Sequence, residues 1–336
     1  MLTFESGSSF WRGTVKRSFV LAIFLASISV VAAGCSKNPV IALPPPAPAH
    51  VYVANPAFVS GTAGVTVYQM PLSASSTPLF TLGVPNGIVG QPSAVAMDAA
   101  KNLYVLDRTA QSIFIFSQPV TATSMPATTL GPFPAFNNAV FLTLDQTGDI
   151  WVSSAGSSTI YEFAPPFTTG VPTPALTINA TLPALNNQTG ITFSLGRMFV
   201  ANQVAGQVLV FNPPFANGMA AVATITSPGF PEGIGFDVKD QMYVSDFTSG
   251  KVYAFKPPFA TGITPSFFIS PPTVSGGTSG LASFISMDAA GNLYVPYEAD
   301  GANGNLSVFA PPFSGASVPL FSIPGPGNPN GVVVGP

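Results

Sequence analysis

Apolar residues in this chain gather in short runs of alternating character, each bounded by turn residues, and two series of these runs recur in step. The first is centred on Tyr52, Tyr104, Trp151, Phe199, Tyr243 and Tyr294; the second ends on Tyr68, Phe116, Phe163, Phe211, Phe255 and Phe309. Successive members lie 44 to 54 residues apart, the length that one four-stranded propeller blade needs. The unit around Tyr243 gives the template. Glu232 to Phe236 reads as a first strand, Asp237 to Asp240 as a turn, Gln241 to Ser245 as a second strand, Lys251 to Phe255 as a third and Pro265 to Ile269 as a fourth. The pattern predicts an all-β fold, a six-bladed β-propeller of four-stranded antiparallel blades.

Two further regularities fall in the same register. Counting four residues back from Leu82, Leu130, Ile178, Ile269 and Ile323 gives Pro78, Pro126, Pro174, Pro265 and Pro319, with Ala221 the exception before Ile225. Proline has no N–H for a ladder, so it belongs at a sheet edge, where it also discourages pairing with another molecule. Pro-Pro-Phe recurs at 165–167, 213–215, 257–259 and 311–313. It stops the third strand and leaves a phenylalanine to fold onto the neighbouring blade. The repeat begins at His50 with a second-type strand and ends at Asn330 to Val334 with a first-type strand. Paired in one blade, the two ends close the ring and leave no open array edge.

The N-terminus is of another kind. Arg12, Lys16 and Arg17 precede an apolar run from Ser18 to Ala33, too short for a comfortable membrane span, which leads through Val31-Ala32-Ala33-Gly34 into Cys35. This resembles a bacterial lipoprotein signal with Cys35 as the acylated residue. The expected organisation is a signal at 1–34, a Pro-rich spacer at 35–49 and the propeller at 50–336. It implies export and membrane lipid as a partner through Cys35, on the outer membrane in a two-membrane cell. A plain secretory signal with an incidental cysteine is the alternative. Cys35 is the only cysteine, so an acylated mature chain has no internal disulfide. Beyond residue 35 there are 7 basic and 12 acidic residues; with no basic patch, nucleic acid is not an expected partner. The propeller is expected to be a monomer.

The segments Asp98-Ala99-Ala100-Lys101-Asn102-Leu103-Tyr104-Val105 and Asp288-Ala289-Ala290-Gly291-Asn292-Leu293-Tyr294-Val295 resemble NHL repeats and the SMP-30/gluconolactonase-like six-bladed propellers. The resemblance covers residues 50–336 and implies fold more than activity. In a six-bladed ring, chemistry collects at the channel mouth where first strands begin and second strands end. An inner ring of Ser93, Val140, Thr189, Glu232, Ser283 and Asn330 falls there. So does a second ring, three residues after each second-strand aromatic: Asn55, Asp107, Ser154, Asn202, Asp246 and Tyr297.

Lactonase-type relatives hold a divalent cation with Glu, Asn and Asp. Glu232 matches the Glu and Asn330 an Asn, while no inner-ring residue matches the Asp. Candidate ligand-binding residues at the mouth are therefore Glu232, Asn330, Asp246, Asp107, Asn202 and Asn55, with Glu232 the candidate metal ligand and Ca²⁺ the cation if one binds. The second-ring residues suit Asx-turns equally well, and Asp98, Asp145, Asp237 and Asp288 open tight turns on the opposite face. His50 is the sole histidine, which excludes histidine-based zinc sites and Ser-His-Asp triads within the chain. The expected function is a non-catalytic binding or scaffold module for a protein or glycan partner, with no catalytic residue assigned. The alternative is a metal-dependent lactonase or esterase.

Overall fold

The computed structural model describes residues 49–56, 63–88, 90–179, 181–272, 280–298, 304–325 and 327–335. The basic segment, the apolar run, Cys35 and nearly all of the Pro-rich spacer lie outside the described residues. The rest forms six antiparallel sheets, one per repeat. Blade 1 orders Gly331–Gly335, His50–Asn55, Gly64–Gln69 and Phe80–Leu82 from first strand to fourth. Blade 2 orders Pro92–Met97, Leu103–Asp107, Ser112–Phe116 and Thr128–Leu130, and blade 3 Ala139–Leu144, Ile150–Ser154, Thr159–Phe163 and Leu176–Ile178. Blade 4 consists of Gln188–Ser194, Arg197–Asn202, Gln207–Phe211 and Ala223–Thr226, and blade 5 of Pro231–Phe236, Met242–Asp246, Val252–Phe255 and Phe267–Ile269. In blade 6 an interrupted first strand, Leu281–Ala282 and Ser286–Met287, is followed by Leu293–Glu298, Asn305–Phe309 and Phe321–Pro324. Ring closure takes the predicted form: His50–Asn55 pairs with Gly331–Gly335, Tyr52 opposite Val333.

The second-strand aromatics are buried and hold the blades together through the Pro-Pro-Phe residues. Phe167 meets Tyr104, Phe215 meets Trp151, Phe259 meets Phe199 and Phe313 meets Tyr243, each from the next blade in the chain. Ring centroids are 5.3–6.3 Å apart at interplanar angles of 76–87°, the edge-to-face geometry that aromatic quadrupoles favour, worth about 0.5–1.5 kcal/mol per pair beyond burial.

The polar tips of these aromatics are satisfied by the turn aspartates. The Tyr104, Tyr243 and Tyr294 hydroxyls donate to Asp98, Asp237 and Asp288, and Trp151 Nε1 donates to Asp145 at 2.9 Å. The other carboxylate oxygen accepts backbone N–H groups within the turn, as Asp237 does from Lys239 and Gln241 at 2.8 and 2.9 Å. One acid thus shapes the turn and locks the aromatic six residues on, which is why the two recur together.

The prolines of the fourth strands lie two residues before the strands proper. The residue after each donates inward to the third strand, as Leu79 does to Val67, Ala127 to Ile115, Ala175 to Glu162, Ser266 to Ala254 and Leu320 to Val308. By strand alternation the proline nitrogen faces away from the blade, where an N–H would go unpaired. Ala221 is the exception because its outward N–H is used: it donates to Leu182 O at 2.7 Å in the segment leading into blade 4.

Phe141 of blade 3 and Phe284 of blade 6, on opposite sides of the ring, meet with centroids 4.7 Å apart. Both line a cavity of about 290 Å³ bounded by the first strands down to Met97, Leu144 and Met287.

Candidate functional site

The mouth is built on a defect shared by the first strands. Register with the second strand slips between Pro92 and Ala94, Ala139 and Phe141, Gln188 and Ile191, and Pro231 and Ile234. In blade 6 the strand breaks between Ala282 and Ser286. The inner-ring residues Ser93, Val140, Thr189, Glu232 and Ser283 fall in these slips. A bulge releases a side chain from the alternation of the pleat and re-aims it. Glycine follows Glu232 because blade backbones crowd here: a Cβ on Gly233 would lie 2.7 Å from Ile285 N and 2.8 Å from Phe284 Cα.

Second-ring residues clasp loops. Asp107 accepts from the N–H groups of Gly90, Gln91, Thr109 and Ala110 at 2.9–3.4 Å. Asp246 accepts from Phe230, Thr248 and Ser249 N–H and from the Ser249 hydroxyl, at 2.8–3.3 Å. Asn202 accepts from Asn186 N and donates to Ala184 O, and Asn55 donates to Thr66 Oγ1 and Val53 O. Each grips the loop arriving at its blade or the strand beside it, and the two aspartates have their oxygens taken up by those loops.

One residue further along the same strand ends lies a third set that the two-ring reading passes over: Arg108, Gln203 and Glu298. These join the inner ring. Gln203 Nε2 donates to Glu232 Oε2, and Asn187 Nδ2 donates to Gln203 Oε1. Asn330 Nδ2 donates to Glu298 Oε1, and Arg108 donates to Asn138 Oδ1. Blades 1, 2, 4, 5 and 6 each supply a member, and Asn138 comes from the entry to blade 3. Strand alternation carried the signal: if the third residue after the aromatic grips the loop, the fourth takes the other side of the strand.

Burial dominates the electrostatics of this ring. Glu232 and Glu298 are 6% and 8% exposed. Desolvation first, then repulsion from Glu298, pushes the Glu232 carboxyl from the usual 4.5 up to about 8, against the hydrogen bond from Gln203 and the charge of Arg108. Glu298 is pushed up to about 7 by desolvation, opposed by the polar groups of Asn330 and Ser283 and by Arg108. The Arg108 guanidinium is itself pulled below its usual range by burial, which the two carboxylates oppose. Asn330 is 6% exposed and its Oδ1, like Ser93 Oγ, has no hydrogen-bond partner among the described residues.

These residues do not fit a resident divalent cation. A hard cation of the Ca²⁺ type takes six to eight oxygen ligands. Here an amide N–H occupies one oxygen of each glutamate, and a guanidinium shares the cluster. No group of three His, Cys, Asp or Glu side chains suited to a metal occurs among the described residues.

No protein-family model matches the chain, and no curated protein matches it in sequence. Solved structures do match it in shape. A protein of unknown function from Bacteroides caccae aligns with a TM-score of 0.62 at 11% identity, covering 86% of this chain and 99% of that one. A periplasmic gluconolactonase of Pseudomonas aeruginosa aligns at 0.59 and 13%, covering 86% and 99%. A protein described as a putative 6-phosphogluconolactonase from Bacteroides uniformis aligns at 0.56 and 14%, covering 82% and 83%. At such identities the likeness establishes the propeller fold and carries no residue roles.

Proposed function

We propose that this chain is an exported binding propeller, anchored to a membrane through Cys35, whose channel mouth takes a polar partner, a glycan in the first instance, without chemical turnover. The observation that supports the reading is the ring of planar polar groups, Arg108, Gln203, Glu232, Glu298 and Asn330, drawn from five blades. Carboxylates and amides present paired acceptors and donors suited to vicinal hydroxyls. Asp107, Asp246 and Asn202 serve this site by fixing the loops around it, and Asn55 by tying its strand to the next. The NHL and SMP-30-like assignment remains part of this reading, as do the lipoprotein signal and the spacer.

A glycan panel probed with the purified full chain in detergent tests it. Binding of a defined glycan that Glu298→Gln weakens tenfold or more is the expected result; no binding of any glycan would defeat the reading. Replacing Cys35 with Ser should release the protein from the membrane fraction, and retention there would refute the anchor.

A second reading, a lactonase, draws on the same two carboxyls, since acids raised to about 8 and 7 sit near the range where general acid–base groups operate. Turnover of glucono-1,5-lactone that is abolished in Glu232→Gln would favour it over binding alone.

A further inference from the structure

With both glutamates ionised, the mouth carries more hydrogen-bond acceptors than the described donors around them serve. Glu232 receives Gln203 on Oε2, and Glu298 receives Asn330 on Oε1 with the Ser283 hydroxyl acting on the same carboxyl. Asn330 turns its amide nitrogen to Glu298, which leaves its Oδ1 in the same cluster, buried and without a partner. A buried acceptor left unpaired costs about 1–3 kcal/mol, and a buried carboxylate without full compensation costs more. Arg108 is the one cation acting on both glutamates, and for each of them its effect is smaller than that of desolvation.

A group that settles this deficit must bring positive charge and about three donors while asking for few ligands. A divalent metal asks for six or more. Further hydroxyls bring donors but no charge. A primary ammonium brings one charge and three donors, matching Glu232, Glu298 and Asn330 Oδ1. Amides at Gln203, Asn187 and Asn138, with the unpartnered Ser93 hydroxyl, then remain for hydroxyl groups.

We infer that the mouth of this propeller is a site for a hydroxylated primary ammonium, an amino sugar with its amine free, held by Glu232, Glu298 and the side-chain oxygen of Asn330. The inference rests on the mouth being a ligand site, as proposed above, and names the chemistry that site selects. One consequence separates it from a merely structural cluster. Among the described residues, the charged groups acting on the pair are the two glutamates themselves and Arg108, with the buried Tyr297 hydroxyl next to Glu298 in the chain. With the carboxyls raised to about 8 and 7, much of the pair is protonated at pH 6.5. An ammonium placed among them favours the ionised form, so binding expels protons.

Calorimetric titration of the purified full chain with D-glucosamine, with D-glucose and with calcium chloride tests this at pH 6.5, in two buffers of different ionisation enthalpy. Glucosamine should bind at least tenfold more tightly than glucose, with release of up to about one proton per site. Glu298→Gln and Glu232→Gln should each abolish both the preference and the proton release, while circular dichroism stays that of the native fold and the unfolding temperature does not fall. Equal affinity for glucosamine and glucose would overturn the ammonium assignment and leave the glycan-binding reading standing. Absence of glucosamine binding at millimolar concentration would overturn it as well. So would tight calcium binding that glucosamine fails to displace, which would give the acceptors to a metal.

Discussion

The two ends of this propeller use acids in opposite ways. At the turn end, Asp98, Asp145, Asp237 and Asp288 are saturated: each takes backbone N–H groups on one oxygen and an aromatic O–H or N–H on the other. Burial pulls the Asp145 carboxyl up, but hydrogen bonds from Thr147, Trp151 and Asp149 outweigh it and hold the group below its usual range. At the mouth, Glu232 and Glu298 are more deeply buried, less well served by donors, and displaced the other way. An acid whose acceptors are all taken by its own chain is architecture. One that the fold buries and leaves short of donors costs stability when it ionises.

The sharpest way to break this contrast is at the turn end. Trp151→Ala removes the ring that packs on Phe193 and Phe215 and leaves Asp145 without its indole donor. It should destabilise the fold by about 3–5 kcal/mol in urea unfolding; a loss below about 1 kcal/mol would refute the account of blade packing. Asp237→Ala, which strands Lys239 N, Gln241 N and the Tyr243 hydroxyl, should cost about 1.5–3 kcal/mol.

The mouth should answer differently. A carboxyl whose folded pKa lies above its unfolded value binds more protons when folded, so stability is full below about 4.5 and falls as pH rises towards about 8. Glu232→Gln and Glu298→Gln should therefore leave the unfolding temperature near that of the wild type at pH 5 and raise it at pH 8, flattening the profile. A variant less stable than the wild type at pH 8 would mean that the ionised pair stabilises the native state. Asp145 has the opposite sign: its folded pKa is depressed, so its contribution is present at neutral pH and lost as acid protonates it.

Edge chemistry offers the smallest effects. Ala221→Pro deletes the N–H that bonds Leu182 and should cost about 1 kcal/mol. Pro265→Ala should stay within about 0.5 kcal/mol of the wild type yet increase concentration-dependent light scattering, since it restores an outward N–H on an exposed edge. Equal behaviour of these two variants would break the link between proline placement and edge pairing.

Much of the architecture was legible because it repeats. The aromatic period counted the blades, and the complementary strand types at His50 and Asn330 foretold the pairing of Tyr52 with Val333. The Pro-Pro-Phe spacing placed Phe215 against Trp151. The mouth was legible only in part. The blade register points to Glu232 and Asn330, which hydrogen-bond with Gln203 and Glu298, while Asp107, Asp246 and Asn202 hold loops and Asn55 bonds within its own sheet. Glu298, Arg108 and Gln203 were passed over because they occur in no repeated pattern: the equivalent positions in other blades are Pro56, Ala155 and Phe247.

That division has a physical cause. Blade number, closure, turn acids and edge prolines follow from contacts between near neighbours in the chain or between adjacent repeats, and sequence period reports such contacts directly. The electrostatic coupling of Glu232 with Glu298, 66 residues apart, the spare oxygen of Asn330, and the Phe141–Phe284 contact exist only where six blades converge on one axis. Burial there, which sets the charge state of both acids, is a property of the closed ring and of no segment within it.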